Sequence, residues 1–148
     1  MTSPMADPII AYIDGGARGN PGPAGYGVRI ERPDGSLVEE FCDSIGVATN
    51  NVAEYRALIA ALEWAKRHGH THLRVRSDSL LLVQQMRGAF KVKHPALQPL
   101  HAKARLLAHG IGRVTFEHVG RALNEQADRL ANEAMDQAAA RERPEASE

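Results

Sequence analysis

The chain has 148 residues, 43% of them apolar, with 18 basic and 18 acidic side chains. That length supports one domain with one core, and no apolar run approaches the ~20 residues a membrane-crossing helix needs. The start MTSPMADP has neither the basic opening nor the apolar stretch of a secretory signal. Cys42 is the only cysteine, so an internal disulfide is impossible and a reducing cytoplasm is the expected setting. No long apolar seam marks a partner surface, and a monomer is expected.

Taken in chain order, residues 1–7 are expected to form a flexible lead-in. Pro8 to Ile13 is apolar nearly throughout and predicts a buried strand with Asp14 at its end. The stretch GGARGNPGPAGYG has the Gly and Pro density of a loop. Two strands, Gly27 to Glu31 and Ser36 to Phe41, flank a Pro33-Asp34-Gly35 turn. Thr49-Asn50-Asn51 offers N-cap chemistry, and Ala53, Ala57, Leu58, Ala61, Leu62 and Ala65 recur at helical spacing as far as a stop at Gly69. Leu73 to Arg76 predicts a strand that ends at Asp78. Short helices follow at Leu80 to Met86 and Leu97 to Ala108, then a strand at Val114 to Val119 and a helix at Glu125 to Ala139. The domain is placed at residues 8–136, and 137–148, ending in the apolar-poor RERPEASE, is expected to be a disordered tail. This order predicts an α/β fold, a mixed sheet with helices on its faces.

Four acids sit in four separate contexts, each at an element end: Asp14 in IIAYIDGG, Glu54 in TNNVAEYRAL, Asp78 in LRVRSDS and Asp128 in NEQADRLANEA. Strand ends and helix starts on one side of a sheet can converge. Four converging carboxylates are too costly to leave bare, and hard oxygen donors favour magnesium or manganese. Taken singly, Glu54 and Asp128 are equally well explained as acids favoured at a helix N-terminus, and Asp78 as a turn or cap residue. From Ser79 to Phe116 there is no acidic residue, while Arg87, Lys91, Lys93, Lys103, Arg105 and Arg113 all lie there. A basic segment beside an acidic cluster suits a site that grips a polyanion and cuts it with metal. A solvated helix face accounts for the same charge pattern.

The blocks DGGARGNPGPAGYG, TNNVAEYRALIAALEWA, SDS and NEQADRLANEA, in this order, resemble the motif blocks of type 1 ribonuclease H over about Ile9 to Ala134. The resemblance implies a ribonuclease H-like fold, a five-stranded mixed sheet with three antiparallel and two parallel strands and helices on both faces. It implies cleavage of the RNA strand of an RNA–DNA hybrid, leaving 5′-phosphate and 3′-hydroxyl ends, with two Mg2+ or Mn2+ ions. Asp14 would be shared by both ions, Asp128 would hold the one that activates water, and Glu54 with Asp78 the one at the leaving oxygen. It further implies hybrid contacts from Gly15, Gly16, Asn20, Thr49, Asn50, Asn51 and Asn124. His118, ten residues before Asp128, would take the family's mobile-loop role in proton transfer or product departure, with Arg121 as the other candidate for that loop. The chain departs from many relatives in lacking the basic helical handle, for which Lys91, Lys93 and Lys103 are partial replacements. It also has Leu80 where a polar residue is common. The rival expectations are a hybrid-binding module that does not cut, and a nuclease of the same fold acting on other nucleic acids.

Overall fold

The computed structural model describes residues 7–142. The expectations for residues 1–6 and 143–148 lie outside them. Five strands and four helices follow in the expected order. β1 (Ile9–Ala17), β2 (Gly22–Glu31) and β3 (Leu37–Ala48) form an antiparallel meander. α1 (Asn50–Arg67) leads to β4 (His72–Ser77), which pairs parallel with β1. Then come α2 (Leu80–Met86), α3 (Gln98–Ile111), β5 (Arg113–His118) and α4 (Glu125–Glu142), the last preceded by a single 3-10 turn at Arg121–Asn124. The sheet order is β3-β2-β1-β4-β5, with β5 parallel to β4.

Side chains alternate across the sheet, and the two faces take different helices. Ile9, Ala11, Ile13, Val28, Ile30, Leu73 and Val75 form one buried cluster with Ala57, Leu58, Ala61 and Leu62 of α1. α1 starts because the Thr49 hydroxyl accepts from the Val52 amide at 3.2 Å, an N-cap. Its C-terminal turn stops at Gly69, whose φ of +74° suits the residue that ends a helix. α4 covers the other face, packing on β1, β2 and β3.

Besides β3, which runs on to Ala48 rather than ending at Phe41, two boundaries differ most from expectation. The Gly- and Pro-rich stretch is not a loop: β1 runs on to Ala17 and β2 already begins at Gly22, so Asp14 lies inside a strand, opposite Gly27. Close helix packing demands those glycines. A Cβ on Gly15 would lie 2.3 Å from the Ala53 carbonyl of α1, and one on Gly25 or Gly27 would lie 2.4 Å from Ala134 or Leu130 of α4. The second difference is the tail. α4 continues to Glu142 with Ala138 buried, so residues 137–142 are helix rather than disordered tail. Buried alanines extend the packed face beyond the point where the larger apolar residues stop.

Candidate active site

Three elements and one junction bring the four acids to one place. β1 carries Asp14 on the α4 face. α1 carries Glu54 in its second turn rather than at its opening, since its first turn holds no acid. Asp78 stands between the end of β4 and Ser79, whose hydroxyl caps α2 by accepting from the Leu82 amide. Asp128 lies in the first turn of α4. All four line a single open cavity of about 670 Å³.

The electrostatics follow from burial and crowding. Burial, then the charges of Asp78, Asp128 and Glu54, together with a hydrogen-bonding contact to Asp128, push Asp14 up to about 8. Burial and the neighbouring Asp78 push Glu54 up to about 7, against a hydrogen bond to Ser79 that favours its charged form. The Glu54 Oε2 atom is buried without a hydrogen-bond partner. Oxygen donors, an orphaned buried oxygen and unrelieved repulsion fit a small divalent cation that keeps part of its water shell. Among the described residues no group of three or more His, Cys, Asp or Glu side chains closes into a cage for an ion.

The other expected residues divide. Gly15, Gly16, Asn50 and Arg121 line the cavity beside the carboxylates. Gly15 and Gly16 owe their missing side chains to packing: a Cβ on Gly16 would come within 3.2 Å of Met135. Asn50 accepts from the Ala17 amide at 2.8 Å, and Asn20 accepts from the Asn50 amide at 2.9 Å. Those two bonds fasten the β1–β2 turn to the start of α1. Thr49 is the α1 cap. Asn51 is exposed and borders a small cleft with Glu54 and Ser79.

Asn124 is not part of the cavity wall. It is 1% exposed, and its Nδ2 donates to the Ile13 carbonyl at 2.9 Å. It ties the lead into α4 to the residue before Asp14, which sets Asp128 against Asp14. His118 is exposed at the end of β5, in register with Ser77, and is not part of the cavity wall; Arg121 is. Lys91 and Lys93 are exposed on the α2–α3 connection. Lys103 lies apart from the cavity on α3, 3.5 Å from Glu63 of α1. Leu80 is 49% exposed and so is not a core residue.

The sequence reading missed Glu125, Asn132 and Met135, which line the same cavity, as does Arg18. The helical spacing of Asp128, Asn132 and Asp136 was the available signal for Asn132.

The chain matches the family described as reverse transcriptase-like over residues 12–134. It is 51% identical over 110 residues to a bifunctional protein of Mycobacterium tuberculosis, covering 74% of this chain and 30% of that protein. The N-terminal RNase H domain of that protein, solved as a fusion with maltose-binding protein, superposes with a TM-score of 0.87 at 50% identity, covering 91% of this chain and 98% of that one. Ribonuclease HI of Halobacterium salinarum is 49% identical over 110 residues, covering 74% of this chain and 55% of that protein. LC11 ribonuclease H1, solved in complex with an RNA/DNA hybrid, superposes with a TM-score of 0.85 at 46% identity over 88% of this chain and 99% of that one. The chain thus spans about a third to a half of the length of these two curated relatives.

Proposed function

The chain belongs to the ribonuclease H1 family, and from that premise we propose that it hydrolyses the RNA strand of RNA–DNA hybrids with two divalent ions, leaving 5′-phosphate and 3′-hydroxyl ends. One observation carries the reading: four carboxylates from four separate segments line one open cavity, and burial and mutual repulsion keep Asp14 near 8. A protein that only bound hybrids would gain nothing from an uncompensated acidic floor facing phosphates.

The ions, when bound, supply a water-derived nucleophile and charge relief at the leaving 3′-oxygen. Asp14, in contact with Asp128 and flanked by Asp78 and Glu54, is the ligand both would share. Asp128 would hold one of them, and Glu54 with Asp78 the other. Asn50 has its side-chain oxygen committed to Ala17, which leaves its amide nitrogen to donate to a 2′-hydroxyl or sugar oxygen, the feature that separates RNA from DNA. Arg121, on the cavity wall, takes the mobile-loop role at departing phosphate, and His118, outside the wall at the end of β5, is the other candidate for that role. No helix among the described residues is long and apolar enough to cross a membrane. A monomer acting in the cytoplasm remains the reading of the composition.

Labelled hybrid, duplex RNA and duplex DNA, each with magnesium and with EDTA, test this. Cleavage of hybrid alone, and only with magnesium, is expected. Equal rates on duplex RNA and hybrid would overturn it.

A further inference from the structure

Beyond the four carboxylates the cavity has a second, cationic end. Asp14 and Gly16 share one face of β1, Arg18 follows directly on its last residue with its amide still donating to the Pro23 carbonyl, and their counterparts on α4 are Asp128, Asn132 and Asp136, spaced four residues apart. Four residues of strand span about 13 Å, and eight residues of helix about 12 Å. The two rows therefore run in step. At one end Asp14 meets Asp128. At the other, the Arg18 guanidinium lies 2.8 Å from Asp136 and 3.2 Å from the Asn132 side-chain oxygen, with the Asn132 carbonyl at 3.5 Å. Between them Gly16 has no side chain, and Met135 lies beneath it. The result is a bare trough with acids at one end and a cation at the other.

The cation is loosely held. Arg29 and Arg76 are locked by carboxylates that are at most 29% exposed. Asp136 is 66% exposed and Arg18 44%, and a pair so open to water gains little. A phosphate entering the trough would compete well for a guanidinium whose planar fork suits it.

We propose that Arg18 is a phosphate-binding residue, which exchanges Asp136 for a backbone phosphate of the strand being cut, displaced along that strand from the phosphate at the carboxylates. Asp136 is then a resident competitor that holds Arg18 in place until substrate arrives. This rests on the ribonuclease reading for the identity of the strand, but its signature is separate. If Arg18 is only a structural latch, breaking it from either side has the same effect. If it exchanges partners, the two sides have opposite effects.

Hybrid binding is measured with calcium in place of magnesium, across a salt series, for wild type, Arg18→Gln, Arg18→Lys and Asp136→Asn. Arg18→Gln should raise Kd about tenfold, the scale of one charge-assisted hydrogen bond, and flatten the dependence of log Kd on log salt by about 0.9, one phosphate contact. Arg18→Lys should keep the slope and lose part of the affinity. Asp136→Asn should lower Kd about two- to threefold by freeing the guanidinium. Weaker binding by both Arg18→Gln and Asp136→Asn would overturn the proposal, as would an unchanged slope in Arg18→Gln. If Arg18→Gln does not fold, the sign of Asp136→Asn and the slope of Arg18→Lys decide the question. A wild type that cuts hybrid while the variants move together fails this proposal alone. A wild type that neither binds nor cuts hybrid fails both.

Discussion

The two faces of the sheet are built by different physics. The face under α1 is apolar from Ile9 across Val28 and Leu73 to Phe116. The face toward α4 carries Tyr12, Arg29, Glu31, Arg74, Arg76 and Glu117, and it is held by ion pairs. Arg29 reaches Glu31 at 2.7 Å and Glu40 at 2.6 Å; Arg76 reaches Glu117 at 2.8 Å and the Tyr12 hydroxyl at 2.7 Å. On this face Glu31, Glu40 and Glu117 each have an arginine. Arg76 and Arg74 hold Glu117 below the usual carboxylate range; Glu40, though burial opposes it, is held down by Arg29 and Arg129. Asp14 shares the face and has no such partner: each of its main influences raises it. A face able to neutralise carboxylates with arginine leaves one bare where the helix covers it. That contrast singles out Asp14 on this face.

The contrast breaks most completely at Asp14. Asp14→Asn should cut hybrid cleavage at least a hundredfold, about 2.7 kcal/mol of barrier, while circular dichroism shows the fold intact. Retention of more than a tenth of wild-type activity would sink its assignment as the shared ligand. Glu117→Gln, by contrast, removes a carboxylate whose charge is already balanced, and should leave the rate per folded molecule near wild type.

The next test separates the two kinds of packing. Gly27→Ala would put a Cβ 2.7 Å from the Ala127 carbonyl and the Ala131 amide, backbone that can move only by lifting α4. It should cost about 1–3 kcal/mol and also lower kcat, because α4 carries Asp128. Leu58→Ala, on the other face, should cost about 2–5 kcal/mol through its cavity and leave kcat near wild type well below the melting temperature. If thermal melts and rates fall together in both variants, the two faces are not mechanically separate.

This difference also governs what the sequence could show. The apolar face was legible because its period is local: Ala53, Ala57, Leu58, Ala61, Leu62 and Ala65 are each buried as their spacing requires, and α2 begins and ends where its apolar run does. The α4 face was not, because its logic is tertiary. Gly15, Gly25 and Gly27 look like loop residues until a helix is placed against them. Asn124 looks like a substrate contact until the Ile13 carbonyl is placed beneath it. The four carboxylates were found through their contexts, yet Asp14 was set at a strand end and Glu54 at a helix opening, each displaced by several residues. Arg18 needed the packed α4 to have a partner at all.

In pH the two kinds of acid run in opposite directions. In the metal-free protein Asp14 and Glu54 hold protons that the unfolded chain releases near its ordinary values of 3.8 and 4.5. Their contribution to stability is full below about pH 4 and is lost as pH rises through about 7 and 8. Glu117 and Glu40 are lowered, so theirs is present above their ordinary value and lost as pH falls. Melts in EDTA from pH 5 to 9 should therefore fall by about 1–3 kcal/mol toward the alkaline side, and Asp14→Asn should flatten that fall. A metal-free protein that gains stability from pH 5 to 8 would contradict the repulsion assigned to the site.

The smallest effect is expected at the basic connection, away from both faces. Lys91 and Lys93 are exposed on the segment between α2 and α3 and have no hydrogen-bond or ion-pair partner among the described residues. Lys103 differs in place, standing on α3 apart from the cavity and 3.5 Å from Glu63. The three lysines were expected to act alike; the structure separates them. Replacing Lys91 and Lys93 with alanine should raise KM severalfold with kcat unchanged, since phosphate contacts hold ground and transition states equally. The salt slope of hybrid binding should flatten by about 1.8, two contacts' worth. Lys103→Ala should change neither. If Lys103→Ala flattens the slope by about 0.9, one contact's worth, then Glu63 yields to phosphate just as Asp136 is proposed to do, and the grip on the hybrid extends along α3 rather than stopping at the connection.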